Sequence, residues 1–459
     1  MGLRLVGYRR WLAIAATGVA GLGLCALLVD QCLGIYLQSE AFRQTMSRLT
    51  SMAFKGQGEY APIRRTGFLK VTTPGYAGDG GDQLMRAIQA QDVTATLDGW
   101  KIFRNRVELQ QITIARSRVE LQQFKPKPPP VETWFTRLLP TVVLREVLAD
   151  SADVLTQLSG RPVEIRGLNL RIRSNGVDFD YEGHDGFLRM PPVPELRVRH
   201  VHMLITTSQL YLREALLTPL SPESKGTLTV EGDTGIGTNS HFNTRIVIEG
   251  MPLAPWVGPW HDSLDGLVSG RLTGQGILER KATGGRFDAF DGSGDLQIAV
   301  GRIHALPTLD QLAALTGNQG LRDLPIEHCR FRFAWKHPHL EVRDFTIESK
   351  GVFRLEGNLD VRREQISGQF EFGVTPPYLH WLPNARETVF SREHDGYCWT
   401  TVRMSGNLKH PKDDLTPRLK STLAETPFAF MSLLLRGIGD WFEYPFGRDD
   451  HESPPQPVK

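Results

Sequence analysis

Apolar residues recur at every second position through most of the chain beyond residue 90. Val93, Ala95 and Leu97 alternate with Thr94, Thr96 and Asp98. Val107/Leu109, Ile112/Ile114 and Val119/Leu121 continue the pattern. Val163/Ile165, then Leu168, Leu170 and Ile172, then Val177, Phe179 and Tyr181 repeat it. Phe331, Phe333 and Trp335 alternate with Arg330, Arg332 and Ala334. Phe353, Leu355, Leu359 and Val361 face a second run, Ile366, Phe370, Phe372 and Val374, across a short polar turn. That pattern predicts a hairpin of two strands, each with one apolar face. Val268, Leu272 and Leu278, and Val402, Met404 and Leu408, carry the same period. Gly270, Gly274, Gly276, Gly357, Gly368 and Gly406 fall on the apolar parity, where a missing side chain lets a sheet bend or leaves room beside its apolar face.

Elsewhere the period changes. Residues 11–29 (WLAIAATGVAGLGLCALLV) carry no charge, and as a helix they span about 28 Å, the thickness of a bilayer's hydrocarbon. Arg4, Arg9 and Arg10 precede this run and Asp30 follows it, which predicts a signal anchor with the N-terminus in the cytoplasm. A cleaved signal or a lipid-modified Cys25 are the rivals. No small-residue exit follows the run, and Leu24 stands where a lipoprotein site needs a small residue. Residues 38–55 suit an amphipathic helical neck, 56–82 a glycine-rich loop, 83–91 (QLMRAIQAQ) a short helix, and 307–317 (PTLDQLAALTG) another. Residues 131–158 fit helix or strands, and 417–442 an apolar terminal helix. The reading divides the chain into tail and anchor (1–37), a first β region (38–123) and a proline-rich spacer (124–130). A middle β region (131–225), a C-terminal β region (226–415), an apolar helix (416–446) and a polar tail (447–459) follow.

Composition narrows the function classes. With 53 basic and 51 acidic residues the net charge is +2, which does not suit a nucleic-acid binder. Cys329 and Cys398 would be either a disulfide, if the body meets an oxidising compartment, or two buried thiols. No G-x-S-x-G, H-E-x-x-H, Walker loop or C-x-x-C occurs, so no enzyme, cofactor or zinc-finger chemistry is expected. Asp178, Asp180 and Glu182 begin like a calcium loop, but Arg189 stands where its last acid belongs. His200/His202 and His337/His339 are pairs with the spacing for one strand face, each lacking an evident third ligand. The arginines of 330–336 suit lipid phosphates or a solvated face.

Three segments carry a family resemblance. They are QDVTATLDGWKIFRNRVELQQITIARSRVELQQF after the N-terminal apolar run, GSGDLQIAVGRIHALPTLDQLAAL, and FTIESKGVFRLEGNLDVRREQISGQFEF followed by VRMSGNLKHPKDDL. Together they resemble the AsmA-like proteins of the bacterial envelope, loosely over residues 8–123 and more closely over 225–415. The resemblance implies a mainly β fold: an N-terminal transmembrane helix followed by an elongated, curved antiparallel sheet shaped as a groove, with a few short helices. It implies inner-membrane anchorage, a periplasmic body, and a role in lipid traffic or outer-membrane biogenesis. The expected partners are membrane lipids and envelope proteins, with no nucleic acid. The expected lipid-lining residues are Leu272, Phe331, Phe333, Phe353, Leu355, Leu359, Phe370, Phe372, Val402 and Met404. The rival reading is an assembly factor whose apolar faces close on each other.

Overall fold

The computed structural model describes residues 30–54, 56–80, 85–97, 107–121, 142–158, 161–175, 177–191, 193–221, 224–235, 241–257, 268–280, 282–283, 286–287, 291–304, 313, 318–363, 365–380, 384–407 and 410–419. Of these residues 72% are strand and 13% helical, so the mainly β expectation holds. The uncharged run 11–29, the spacer 124–130 and the expected terminal helix beyond 419 lie outside the described residues, as does 307–317 apart from helical Ala313. Among the described residues no helix is long and apolar enough to cross a membrane.

The chain divides into two units. The first comprises Met1–Phe124, Glu132–Leu155 and Asn169–Phe179; the second comprises Lys125–Val131, Thr156–Leu168 and Asp180–Lys459. Among the described residues, 24 strands belong to one mixed sheet.

In the first unit, residues 30–37 are helical and α1 spans Glu40–Phe54. Ser39 caps α1, accepting from the Phe42 amide at 3.2 Å. Leu37 and Phe42 bury against Val71, Leu97 and Leu109, which gives the neck helix its covered stripe. The strands are β1 (Gln57–Tyr60), β2 (Arg64–Gly67), β3 (Lys70–Asp79), β4 (Met85–Leu97), β5 (Val107–Leu121), β6 (Val142–Leu144) and β7 (Glu146–Leu158). β3 pairs β1, β2 and β4, and β4 pairs β5, all antiparallel.

Three expectations are corrected here. The described part of residues 56–82 is largely strand rather than loop. Gly58 and Gly78 leave room for Tyr76, whose ring stands 4.6 Å from that of Tyr60. A Cβ on Gly78 would stand 2.8 Å from the Tyr76 hydroxyl. From Met85 on, the short helix expected at 83–91 is instead the start of β4, which is hydrogen-bonded on both sides. Two flanking ladders outweigh the helix preference of Gln, Met and Ala. The sheet is also not purely antiparallel, because β5 takes β6 and β7 in parallel. A parallel step needs a connection of about a dozen residues or more, and 20 residues separate β5 from β6 in the sequence. The ambiguous stretch 131–158 is strand wherever it is described, apart from Arg145 between β6 and β7.

Two strands follow, β8 (Arg161–Ser174) and β9 (Phe179–His184). The second unit continues with β10 (Gly186–Met190), β11 (Val193–Ile205), β12 (Gln209–Pro219), β13 (Thr227–Gly235), β14 (Phe242–Pro252) and β15 (Val268–Arg280). A two-residue pair, β16 (Ala282–Thr283) and β17 (Arg286–Phe287), precedes β18 (Asp291–His304) and β19 (Asp323–Ile326). Then come β20 (His328–Lys336), β21 (His339–Ser349), β22 (Phe353–Arg362), β23 (Gln365–Val374), β24 (Arg392–His394), β25 (Tyr397–Asn407) and β26 (His410–Asp413). From β10 to β15 each strand pairs antiparallel with the next. The ladder then runs β15, β18, β20, β21, β22, β23 and β25. The expected hairpin is β22–β23, in register from Phe353↔Val374 to Arg362↔Gln365.

Glycines on the apolar parity are seats for aromatic rings. Gly294 faces Phe333 across the ladder, and a Cβ there would meet the ring at 3.0 Å. Gly357 faces Phe370 in the same way, at 2.6 Å. A sheet face carrying this many aromatic rings needs such gaps to keep its strands in register.

Cys329 and Cys398 are both buried free thiols, set on β20 and β25 with β21, β22 and β23 between them in the ladder. Burial pushes the Cys329 thiol up to about 12. Because the thiolate is the reacting species, both should resist a maleimide in the native protein. Cys32 is exposed and serves as the internal control. The expected result at neutral pH is rapid labelling of Cys32, with Cys329 and Cys398 labelled only after denaturation; rapid native labelling of all three contradicts the packing.

A second prediction concerns Ser349, which is 0% exposed and whose hydroxyl has no hydrogen-bond partner among the described residues. An unpaired buried hydroxyl costs about 1–3 kcal/mol. Ser349→Ala should therefore raise the denaturation midpoint, and a fall in that midpoint would mean the hydroxyl is satisfied.

Candidate functional site: the apolar face of the second unit

The strand register lines up one apolar face across the second unit. Val230 pairs Ile246, which pairs Gly276. Gly276 pairs Gly294, Gly294 pairs Phe333, then Val342, Leu359, Gly368 and Met404 follow in turn. All ten residues expected to line a lipid site belong to this face. The structure splits them into two groups.

Leu355, Leu359, Phe370, Val402 and Met404 are between 0% and 3% exposed. They belong to a cluster closed by residues from outside the main ladder, among them Leu321, Leu324, Leu379, Val389, Phe390 and Leu415. Phe345 links Phe331 to Phe370, with ring centroids 6.2 and 6.1 Å away. This part of the face is covered by the protein's own side chains.

Leu272, Phe331, Phe333, Phe353 and Phe372 are only half-buried. Phe353 and Phe372 are neighbours, 6.2 Å between centroids, and Phe372 packs on Phe390 at 6.0 Å. The other three lie beside a stripe of which sequence reasoning named only Leu278. Val230, Ile246, Leu278, Leu296 and Ile298 are all half-buried on the same face. Leu296 pairs Phe331 and Ile298 pairs Leu272. Along β15 and β18 the opposite parity is exposed and polar at Arg271, Thr273, Gln275 and Glu279, and at Asp291, Ser293, Asp295 and Gln297. The signal was present in sequence, but glycines at Gly274, Gly276, Gly292 and Gly294 dilute the apolar parity there. At the lower rows the same strands are covered: Leu228, Ile248, Met251 and Val268 are buried, and Val257 of the short helix Ala254–Val257 packs on the cluster that holds Val268.

The polar face carries the ionic chemistry. Arg332 of the arginine-rich strand pairs with Asp344, and Arg392 pairs with Glu371. A concavity of about 400 Å³ lies on this face among Tyr211, Arg213, Glu231, Asp233 and Arg245. Both signs of charge line it, so it does not suit an acyl chain.

The structure also gives the histidine pairs their partners. His202 meets Asp180 at 2.6 Å, and with Glu182 the three present ligand atoms within 4.8 Å of one another. The beginning of the calcium-like motif and one histidine pair thus converge on one spot. Asp178 stays out, engaged with Asn175 at 3.2 Å. His200 stacks no closer than 6.4 Å from the His202 ring centroid. His339 meets Asp360 at 3.1 Å and Glu341 at 3.7 Å, while Arg343 stands 3.3 Å from Glu341 and 3.6 Å from Asp360. A guanidinium there supplies the positive charge that a metal would bring. In both sets the imidazole–carboxylate hydrogen bond accounts for the approach.

The two groups on the apolar face predict different responses to truncation. Leu359→Ala, at a sealed position, should cost about 2–5 kcal/mol of stability in denaturant unfolding. Leu296→Ala should cost less than half as much, because its side chain is already partly in water. Equal costs would mean that the stripe is as closed as the cluster.

No family model matches the chain, and a search of curated proteins returns no matching sequence.

Proposed function

We propose that residues 11–29 anchor this protein in a bacterial inner membrane and that its β body stands in the periplasm, where the half-buried stripe of β13–β20 binds lipid acyl chains. The observation that carries the reading is that stripe: Val230, Ile246, Leu296, Phe331 and Phe333 are joined by strand register yet only half covered. Each methylene of an acyl chain moved from water onto such a face is worth about 0.8 kcal/mol. The head group stays in water at the margin. The role is passive, without a catalytic residue, a cofactor or a metal. The AsmA-like resemblance implies the same setting, with the strands curved into a groove and the lipid destined for outer-membrane biogenesis.

A second reading rests on the sealed group. Leu355, Leu359, Phe370, Val402 and Met404 make a closed interior, as expected of a structural or assembly factor that contacts envelope proteins through its surface. A photo-crosslinking residue discriminates the two when placed at Leu296 and, separately, at Leu359 of the full chain in its membrane. The lipid reading expects phospholipid adducts at Leu296 and intramolecular adducts at Leu359. Protein adducts alone at Leu296 would favour the assembly reading.

A further inference from the structure

The first unit exposes large apolar side chains close to Asp30. Phe68 is 70% exposed, Ile35 72% and Tyr36 51%. Phe68 occupies the two-residue connection between β2 and β3. Its neighbour Leu69 adopts a left-handed backbone, φ 59°, and packs against the cluster of Leu37, Val71 and Leu97. The Leu69 carbonyl also accepts from the Leu97 amide at 2.9 Å. The turn is therefore fixed with one side chain inward and Phe68 outward.

Arg65 ties this hairpin to the helix 30–37. Its guanidinium donates to the Asp30 carbonyl at 3.0 Å and to the Asp30 carboxylate at 3.2 Å, and pairs with the other carboxylate oxygen. The helix passes directly over it: a Cβ on Gly34 would lie 2.7 Å from Arg65 Nη1. Ile35 and Tyr36 follow Gly34 in the same turn. The guanidinium holds the Asp30 carboxyl below its ordinary range, so the tie is complete at neutral pH and is lost only as pH falls through that lowered value.

Among residues 64–70 of the hairpin every charged side chain is basic. Arg64 and Lys70 are exposed, and the Asp30 charge is taken up by Arg65. Asp30 directly follows the uncharged run 11–29. Ile35 stands about 8 Å along the helix from Asp30. A chain whose residues 11–29 cross a bilayer puts Asp30 at the head-group level, and Arg65 then holds the hairpin there too. Exposed aromatic residues flanked by basic ones are suited to that boundary.

We infer that the β2–β3 hairpin, through Phe68 flanked by Arg64 and Lys70, together with Ile35 and Tyr36, is a membrane-docking collar that seats the first unit on an anionic lipid surface. The inference rests on the anchor reading. Its function is orientational: one helix alone leaves the body free to swivel, and a second contact fixes which face meets the bilayer.

The test uses the full chain in vesicles of phosphatidylethanolamine with and without phosphatidylglycerol. A p-benzoylphenylalanine photoprobe replaces, one at a time, Phe68, Leu22 within the uncharged run, and Val300, an exposed control at 78%. The expected result is lipid adducts at Leu22 and Phe68 and none at Val300. Arg64→Glu with Lys70→Glu should lower the Phe68 adduct yield about tenfold with phosphatidylglycerol present, and much less without it. Adducts at Leu22 but not at Phe68 overturn the collar and leave the anchor standing. Absence at both positions overturns the anchor and the collar with it. Equal adducts at Phe68 and Val300, or a yield indifferent to the charge reversal, also overturn the collar.

Discussion

A β-sheet with one water-averse face must cover that face, and the second unit does so only in part. The strands β12, β13, β14, β15, β18, β20, β21, β22, β23 and β25 contribute apolar side chains to one continuous face through their register. From β21 onward, residues outside the ladder close over it, and Leu359, Phe370 and Val402 are almost completely withdrawn from water. On β13, β14, β15, β18 and β20 one row of the same face, through Val230, Ile246, Leu296, Phe331 and Phe333, remains half in water, while Leu228, Ile248, Val268 and Trp335 on those strands are buried. The contrast is the feature around which a function can be argued, because the stable closed part holds the register of the open part.

Glycine sets how that face packs. An aromatic ring on one strand needs space on its neighbour, and Gly294 beneath Phe333 and Gly357 beneath Phe370 provide it. A methyl group at Gly357 would collide with the Phe370 ring and force a shift of the strand pair. The first unit uses the same device on a smaller scale, with Gly58 and Gly78 around Tyr76. Charges keep to the other face, where arginine and carboxylate pair across strands at modest individual worth. Their main effect is to keep that side wet, which fixes which face turns inward.

The sequence reveals parity better than cover. Alternation over 353–374 identifies the β22–β23 hairpin, because the apolar residues of each strand share one parity, broken only by Gly357 and Gly368. Alternation fails over 56–82, where Gly58, Gly75 and Gly78 stand in for apolar residues, and over 83–91, where Gln, Met and Ala favour a helix that two neighbouring ladders override. All ten candidate lining residues share the face assigned to them. No property of Leu359 or Phe333 in sequence tells that one is sealed and the other half-open, since the lid over Leu359 comes from Leu321, Leu379, Phe390 and Leu415, distant along the chain. The meeting of His202 with Asp180 and Glu182 was likewise hidden, because β9 and β11 become neighbours only through the sheet.

The central claim is that the half-covered stripe holds lipid. Native mass spectrometry of the full chain, extracted gently from its own membrane, tests it directly when the unaltered protein is compared with one carrying Ile246→Glu and Leu296→Glu. The account predicts phospholipid retained by the first and shed by the second, with both proteins folded. Equal lipid on the two, or none on either, would contradict it.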